Sequence, residues 1–215
     1  MGRVPEREER SMSIIVFTLL GYLSGSVLYA RVFAKMLGKG DIFEKSRDKN
    51  PGATNAFEYG GFRCGCLTLI FDRLKGFLPV AMYMDSCLRT GDPAVGLSFV
   101  LAAPVIGHIF PCWYHFRGGK GIAVTFGCLL GLWPYWQPVG ILIVFFVFFS
   151  TVLRINPHYH RTLVTYFCTL AGMACLLSSS RVLAGFALIT AAVSYRMLTS
   201  REEKEKMEVK LLWRH

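Results

Sequence analysis

Apolar positions along this chain gather into long continuous runs, at 14–32, 66–84, 94–111, 122–132, 139–153, 162–177 and 182–198, separated by short polar loops. A helix needs about 20 apolar residues, with about 17 to 25 usual, to cross a hydrocarbon core of about 30 Å. Most of the runs come near that length. The fourth and fifth are short, and the Trp133-Pro134-Tyr135-Trp136-Gln137-Pro138 stretch between them reads as an interfacial aromatic turn, so these two are expected to be tilted or incomplete spans. No internal repeat is visible. The pattern predicts an all-α integral membrane protein of about seven transmembrane helices over residues 14–199, with a polar segment at 1–13 and a charged tail at 200–215. The first run competes with a signal peptide, because it follows Arg3, Arg7 and Arg10 and contains Ser24-Gly25-Ser26. Glu6, Glu8 and Glu9 offset those arginines, and the run continues to Val32, which favours a span.

Composition agrees. Of 215 residues 53% are apolar and 18% charged, against roughly a quarter charged in an average soluble domain, and the mean hydropathy is +0.41. A disordered chain and an ordinary soluble domain are excluded. The net charge of +10 is compatible with nucleic acid, anionic lipid or anionic substrates, so placement decides. With Arg31 and Arg196 counted in the loops their runs adjoin, the loops after the first, third and fifth runs plus the tail hold 17 Lys and Arg, against 5 for the N-terminus and the other loops. By the positive-inside rule the N-terminus lies outside and the tail in the cytoplasm, and an odd number of spans requires the same. Cations lining one face of a membrane point to membrane lipid and phosphate-bearing substrates, not nucleic acid. The seven cysteines are odd in number and scattered through apolar segments, which argues against a disulfide framework. Cys64-Gly65-Cys66 and His158-Tyr159-His160 lack the ligand count of a zinc site, and no metal or cofactor is expected.

Three polar segments sit where lipid makes them costly. In 41–55, Asn50 before Pro51 reads as a helix N-cap with proline at the first helical position, and small Gly52 and Ala53 leave first-turn amides open to an anion. An ordinary capped turn is the plain alternative. In Asp72-Arg73-Leu74-Lys75-Gly76-Phe77-Leu78-Pro79, Asp72 and Lys75 share a helix face; an unpaired lysine at mid-span costs about 2.5 to 3.5 kcal/mol, so Lys75 pairs with Asp72, faces a wet cavity, or does both. In 107–121, Gly118-Gly119-Lys120-Gly121 opens directly into an apolar run. Glycines allow close backbone approach to a ligand and lysine adds a point charge, which suits phosphate; a hinge with a snorkelling lysine is the alternative. The spacing is not that of a nucleotide P-loop. Anion binding beside an apolar space suggests a substrate with phosphate at one end and an acyl chain at the other. No serine or cysteine is paired with a base at recognisable spacing, so a covalent nucleophile is unsupported.

Gly25-Ser26, Asn50-Pro51-Gly52-Ala53-Thr54-Asn55, Asp72…Leu74-Lys75-Gly76…Pro79 and Gly107-His108…Phe110-Pro111…Phe116…Gly118-Gly119-Lys120-Gly121 follow one another in an order and spacing that resembles the bacterial acyl-phosphate-dependent glycerol-3-phosphate acyltransferases of the PlsY type. The resemblance implies acyl transfer from acyl phosphate to the 1-hydroxyl of glycerol 3-phosphate, giving lysophosphatidic acid, at the cytoplasmic side of a bacterial inner membrane. It implies Lys120 as the catalytic residue. Asn50, Gly52, Thr54, Asn55, Lys75, His108, Arg117, Gly118, Gly119 and Gly121 are implied as substrate-binding, with Asp72 and Ser26 as structural support. The chain departs from the family pattern at several places: Asp48 replaces a serine, Glu58 an arginine, and Met197 and Ser200 a histidine and an asparagine. Two readings stand: a divergent acyltransferase in which Arg47, Lys49, Arg117 or Arg196 supply the missing groups, and a non-catalytic relative that binds phosphate-bearing lipid precursors or regulates the pathway. A transporter lacks the repeat symmetry that would support it.

Overall fold

Helices dominate because the runs leave lipid no backbone to satisfy: only a helix or a closed barrel pairs every N–H and C=O internally. The structure is a computed structural model that describes residues 3–46, 48–91, 94–200 and 207–212. Its elements are α1 (Arg3–Gly25), α2 (Tyr29–Met36), α3 (Ile42–Lys45), α4 (Ala53–Gly60), α5 (Phe62–Thr90), α6 (Leu97–Ile109), α7 (Ile122–Leu130), α8 (Gln137–Thr151), β1 (Leu153–Asn156), α9 (His158–Leu176), α10 (Ser180–Thr199) and β2 (Glu208–Leu211), with a 3₁₀ turn at Cys112–Tyr114. Among the described residues two stretches, Leu97–Tyr114 and Ser180–Thr199, are long and apolar enough to cross a membrane on their own, and α1 with α2 makes a third as a bent pair. The outward surface carries exposed Leu19, Leu78, Met82, Val144, Phe148 and Leu188, a face suited to lipid rather than water.

Helices α1, α5, α6, α7, α9 and α10 pack around a core that includes Val80, Tyr83, Leu101, Leu129, Tyr166, Phe186 and Val193. The α1–α6 contact depends on glycine. A Cβ on Gly107 would strike the Tyr22 carbonyl, and one on Gly25 the Pro104 carbonyl, so backbone meets backbone as small residues permit between helices in lipid. A second apolar cluster of Ala30, Phe33, Ala34, Ile42, Ala56 and Cys64 fastens α2, α3 and α4 onto the start of α5, with Phe71 edge-on to Phe33 at 5.1 Å between centroids. This cluster fixes the polar 41–55 segment.

Two expectations are corrected. The first run is not one straight span: it breaks after Gly25 and turns by 43° into α2, because the Ser26 hydroxyl and amide both bond back to the Tyr22 carbonyl, at 2.8 and 2.9 Å, and close off α1. Asn50 is not the cap of α4. Its carbonyl is taken by the Gly52 amide at 2.9 Å and the Asn55 side chain at 2.7 Å, so the chain turns at 50–52 and extended Gly52 stands at the N-cap of a helix beginning at Ala53. The helical architecture is as expected, with one small addition. β1 and β2 form an antiparallel ribbon, Leu153 opposite Leu211 and Asn156 opposite Glu208, so part of the expected tail is a strand.

Candidate active site at the glycine loop

After the 3₁₀ turn that follows α6, the Gly118–Gly121 segment folds back on the end of α6. The Gly118 and Gly119 amides donate to the Ile109 and His108 carbonyls, each at 3.0 Å. A Cβ at Gly118 would hit the His108 carbonyl and one at Gly119 the His108 ring, so side chains are excluded by contact. Arg196 of α10 closes the other side, donating from Nη2 to the Gly118 carbonyl at 2.8 Å and from Nε to the Gly119 carbonyl at 3.3 Å. Gly121, at φ +81°, makes the left-handed turn that starts α7, a conformation glycine reaches without strain. The loop therefore presents one flexible side chain, that of Lys120.

Lys120 meets the start of α4. Its Nζ lies 3.1 Å from Asp48 Oδ2, with both side chains largely shielded from solvent. The other carboxylate oxygen accepts from Asn55 Nδ2 at 2.7 Å and from the Asn50 amide at 3.2 Å. Burial works to raise the Asp48 carboxyl, but the Asn55 amide, Lys120 and the Asn50 N–H together hold it below the usual carboxylate range. A carboxylate thus rests among the donors that the sequence assigns to a phosphate: a lysine, an asparagine amide and a backbone N–H beside a helix start. Thr54 is exposed on the first turn of α4, and Glu58, also exposed, lies one turn further along the same face.

His158 belongs to the same electrostatic neighbourhood. Burial pushes its imidazole down to about 4, with Arg161 and Lys120 adding to the effect and Asp48 opposing it. It is therefore neutral at pH 7, and because Nδ1 accepts from Arg161 at 3.0 Å the ring proton sits on Nε2. Sequence reasoning weighed His158 only as half of a metal pair and did not single out Arg161. No local signal links residues 158–161 to Lys120; only the return of α9 brings them together.

Behind the loop lies a buried polar cluster. Lys75 Nζ is 2.8 Å from Asp72 Oδ1, 2.8 Å from His108 Nδ1 and 2.6 Å from the Val27 carbonyl. The ammonium thus donates to the Val27 carbonyl and the His108 ring and is ion-paired with Asp72. Asp72, Lys75 and His108 are each at most 3% exposed, so these side chains face each other. The Val27 carbonyl is available because α1 is broken there, and a freed carbonyl at membrane depth requires a donor. His108 in turn backs Gly119. Ser26 is fully buried beside the same break. Arg117, by contrast, lines a separate cavity with Arg31, Trp113, Tyr114 and His115. Arg47 lies outside the described residues.

The sequence profile described as glycerol-3-phosphate acyltransferase matches residues 15–205. Among curated proteins, the glycerol-3-phosphate acyltransferase of Legionella pneumophila (strain Corby) is 42% identical over 120 residues, which are 55% of this chain and 42% of that protein. That of Actinobacillus pleuropneumoniae serotype 5b (strain L20) is 41% identical over 142 residues, 64% of this chain and 70% of that protein. The match thus spans about two fifths of the length of the Legionella relative. Among solved structures, PlsY (YgiH), an integral membrane glycerol 3-phosphate acyltransferase, superposes in its glycerol 3-phosphate form with a TM-score of 0.71 over 86% of this chain and 88% of that one, at 24% identity. Its lysophosphatidic acid form gives a TM-score of 0.67 at the same identity. With the profile covering most of the chain, and the same helical arrangement in a solved membrane protein, the chain belongs to the glycerol-3-phosphate acyltransferase family.

Proposed function

We propose that this chain is a membrane acyltransferase of phospholipid biosynthesis, moving a fatty acyl group from acyl phosphate to the 1-hydroxyl of glycerol 3-phosphate and releasing lysophosphatidic acid and phosphate. The observation that carries the reading is the seating of a carboxylate against Lys120, Asn55 and the Asn50 amide, since donors that hold one anion hold another of similar reach. Acyl phosphate is already activated and its leaving group is a stable anion. The chemistry asked of the protein is to position two anions against their repulsion and to stabilise charge on the acyl carbonyl and departing phosphate. Lys120 carries that second task. Asn50, Thr54 and Asn55 offer donors to phosphate and Gly52 leaves the approach to them uncovered by a side chain, while Asp72, Lys75 and His108 act as the scaffold behind the glycine loop. Seven spans, with the N-terminus outside and the site toward the cytoplasm of a bacterial inner membrane, fit the distribution of basic residues.

The test is direct. Purified protein in detergent, given acyl phosphate and glycerol 3-phosphate without metal or nucleotide, should form lysophosphatidic acid. Lys120→Ala should lower turnover about 10² to 10³-fold, the range for losing one preorganised donor to a developing anion, whereas exposed Lys49→Ala should change it little. A second reading is favoured by the same contact, because Asp48 already neutralises Lys120: a relative that binds phosphate-bearing lipid without turnover. That reading prevails where wild type forms no product yet retains such lipid in a Lys120-dependent manner.

A further inference from the structure

Helix α2 buries Ala30, Phe33 and Ala34, while Arg31 is half-buried and Lys35 exposed. Two cations four residues apart on one helix face repel. The Arg31 guanidinium lies 5.1 Å from the centroid of the Tyr114 ring, a cation–π placement that fixes its direction. Around it are two adjoining cavities that share Arg31 and Tyr114. One, of about 750 Å³, is lined also by Lys35, Met36 and Asp41; the other, of about 310 Å³, by Trp113, His115 and Arg117. Among the described residues, three cations thus line the two cavities with one carboxylate. None of Asp48, Asn55, Lys120 or the 118–121 glycines lines either cavity, so this cleft is separate from the candidate active site.

The rim is apolar. Met36 is 73% exposed, Trp113 64% and Phe116 62%, and aromatic side chains beside basic ones mark the boundary between headgroups and acyl chains. A soluble anion would use the cations and leave those surfaces bare; a phospholipid covers both. The geometry points to an anionic-phospholipid site in this cleft: the headgroup phosphate lies between Arg31, Lys35 and Arg117, and the acyl chains run past Met36 and Trp113. It takes a resident lipid of the membrane and not the reacting acyl donor, and it requires only that this face meet the bilayer, whatever the chain catalyses.

Native mass spectrometry of the purified full chain in neutral detergent tests it, with phosphatidic acid, phosphatidylcholine and inorganic phosphate as probes. A basic side chain near an anionic lipid surface is worth about fivefold in binding. Wild type should therefore retain phosphatidic acid at least fivefold more firmly than phosphatidylcholine, and Arg31→Gln with Lys35→Gln should erase that preference. Lys35 is exposed, so Lys35→Gln alone keeps the fold and should weaken retention about fivefold. Lys120→Ala should leave the preference intact, which separates this site from the active site even where no acyl transfer is seen. Equal retention of the two lipids, a preference that survives the double change or vanishes with Lys120→Ala, or displacement of phosphatidic acid by inorganic phosphate would each overturn the assignment.

Discussion

Asp48 is the residue on which the site's behaviour turns. It competes for Lys120 with any incoming phosphate, yet its Oδ1 also organises Asn55 and the Asn50 amide. Asp48→Asn keeps an acceptor for those donors and removes only the charge. It should lower the KM for glycerol 3-phosphate roughly tenfold, the factor that about 1.4 kcal/mol represents. An unchanged KM in initial-rate measurements would show that the carboxylate moves aside freely. The Asp48–Lys120 pairing was not legible in the sequence, because 72 positions separate the partners and each looks like a solvated loop charge on its own. His158 gives a prediction with a definite sign. The folded imidazole stays neutral down to about pH 4, whereas the unfolded one protonates near 6.5. Between those values the unfolded chain binds a proton the folded chain does not, so stability should fall as pH falls through that window. Thermal unfolding midpoints of the detergent-solubilised protein should show this slope, and His158→Gln should flatten it.

Helix identity followed from the apolar runs because a run of that length has no other way to satisfy its backbone, and the weakness of the 122–132 and 139–153 runs reappears as the short helices α7 and α8. Breaks and caps were harder to read. The bend after Gly25 lies inside unbroken apolar sequence, where Ser24-Gly25-Ser26 is the one local cue. The start of α4 shifted because the Asn55 side chain, from inside the helix, captures the carbonyl that capping would have used. Arg196 was legible only as a spare cation, since its real partners are the carbonyls of Gly118 and Gly119 on another helix connection. The pairing of Asp72 with Lys75 was readable from spacing; the addition of His108 and the Val27 carbonyl was not. A buried charge stripped of its partner typically costs about 3 to 5 kcal/mol. Asp72→Asn and Lys75→Met should each destabilise the protein by that order, and the double change by less than their sum, as coupled neighbours do. Additive losses in denaturant titrations would mean that α5 holds two independent solvated charges.

For the molecule as a whole, the 17-to-5 distribution of basic residues implies that reporter fusions after Gly40 and His115 read as cytoplasmic and one after Thr90 as external. An inverted pattern would put the glycine loop in the compartment where the proposed phosphate substrates are not made. The β1–β2 ribbon constrains topology in a way that hydropathy does not. It ties Asn156 to Glu208, so the chain on either side of α9 and α10 must return to one compartment, and the number of crossings made by those two helices together is even. Helix α10 is long and apolar enough to cross by itself; α9 is not among the helices that meet that test. In the proposed seven-span topology α10 crosses, and parity then requires α9 to cross with it. The Thr162, Thr165 and Thr169 hydroxyls that lower the apolarity of α9 each bond back to the carbonyl four residues earlier, so the helix enters lipid with its polar groups closed. In a cysteine-free background, Ser178→Cys and Lys210→Cys should then react with a membrane-impermeant thiol reagent from opposite sides, which makes a four-residue strand at the edge of the membrane a determinant of where a helix forty residues away can go.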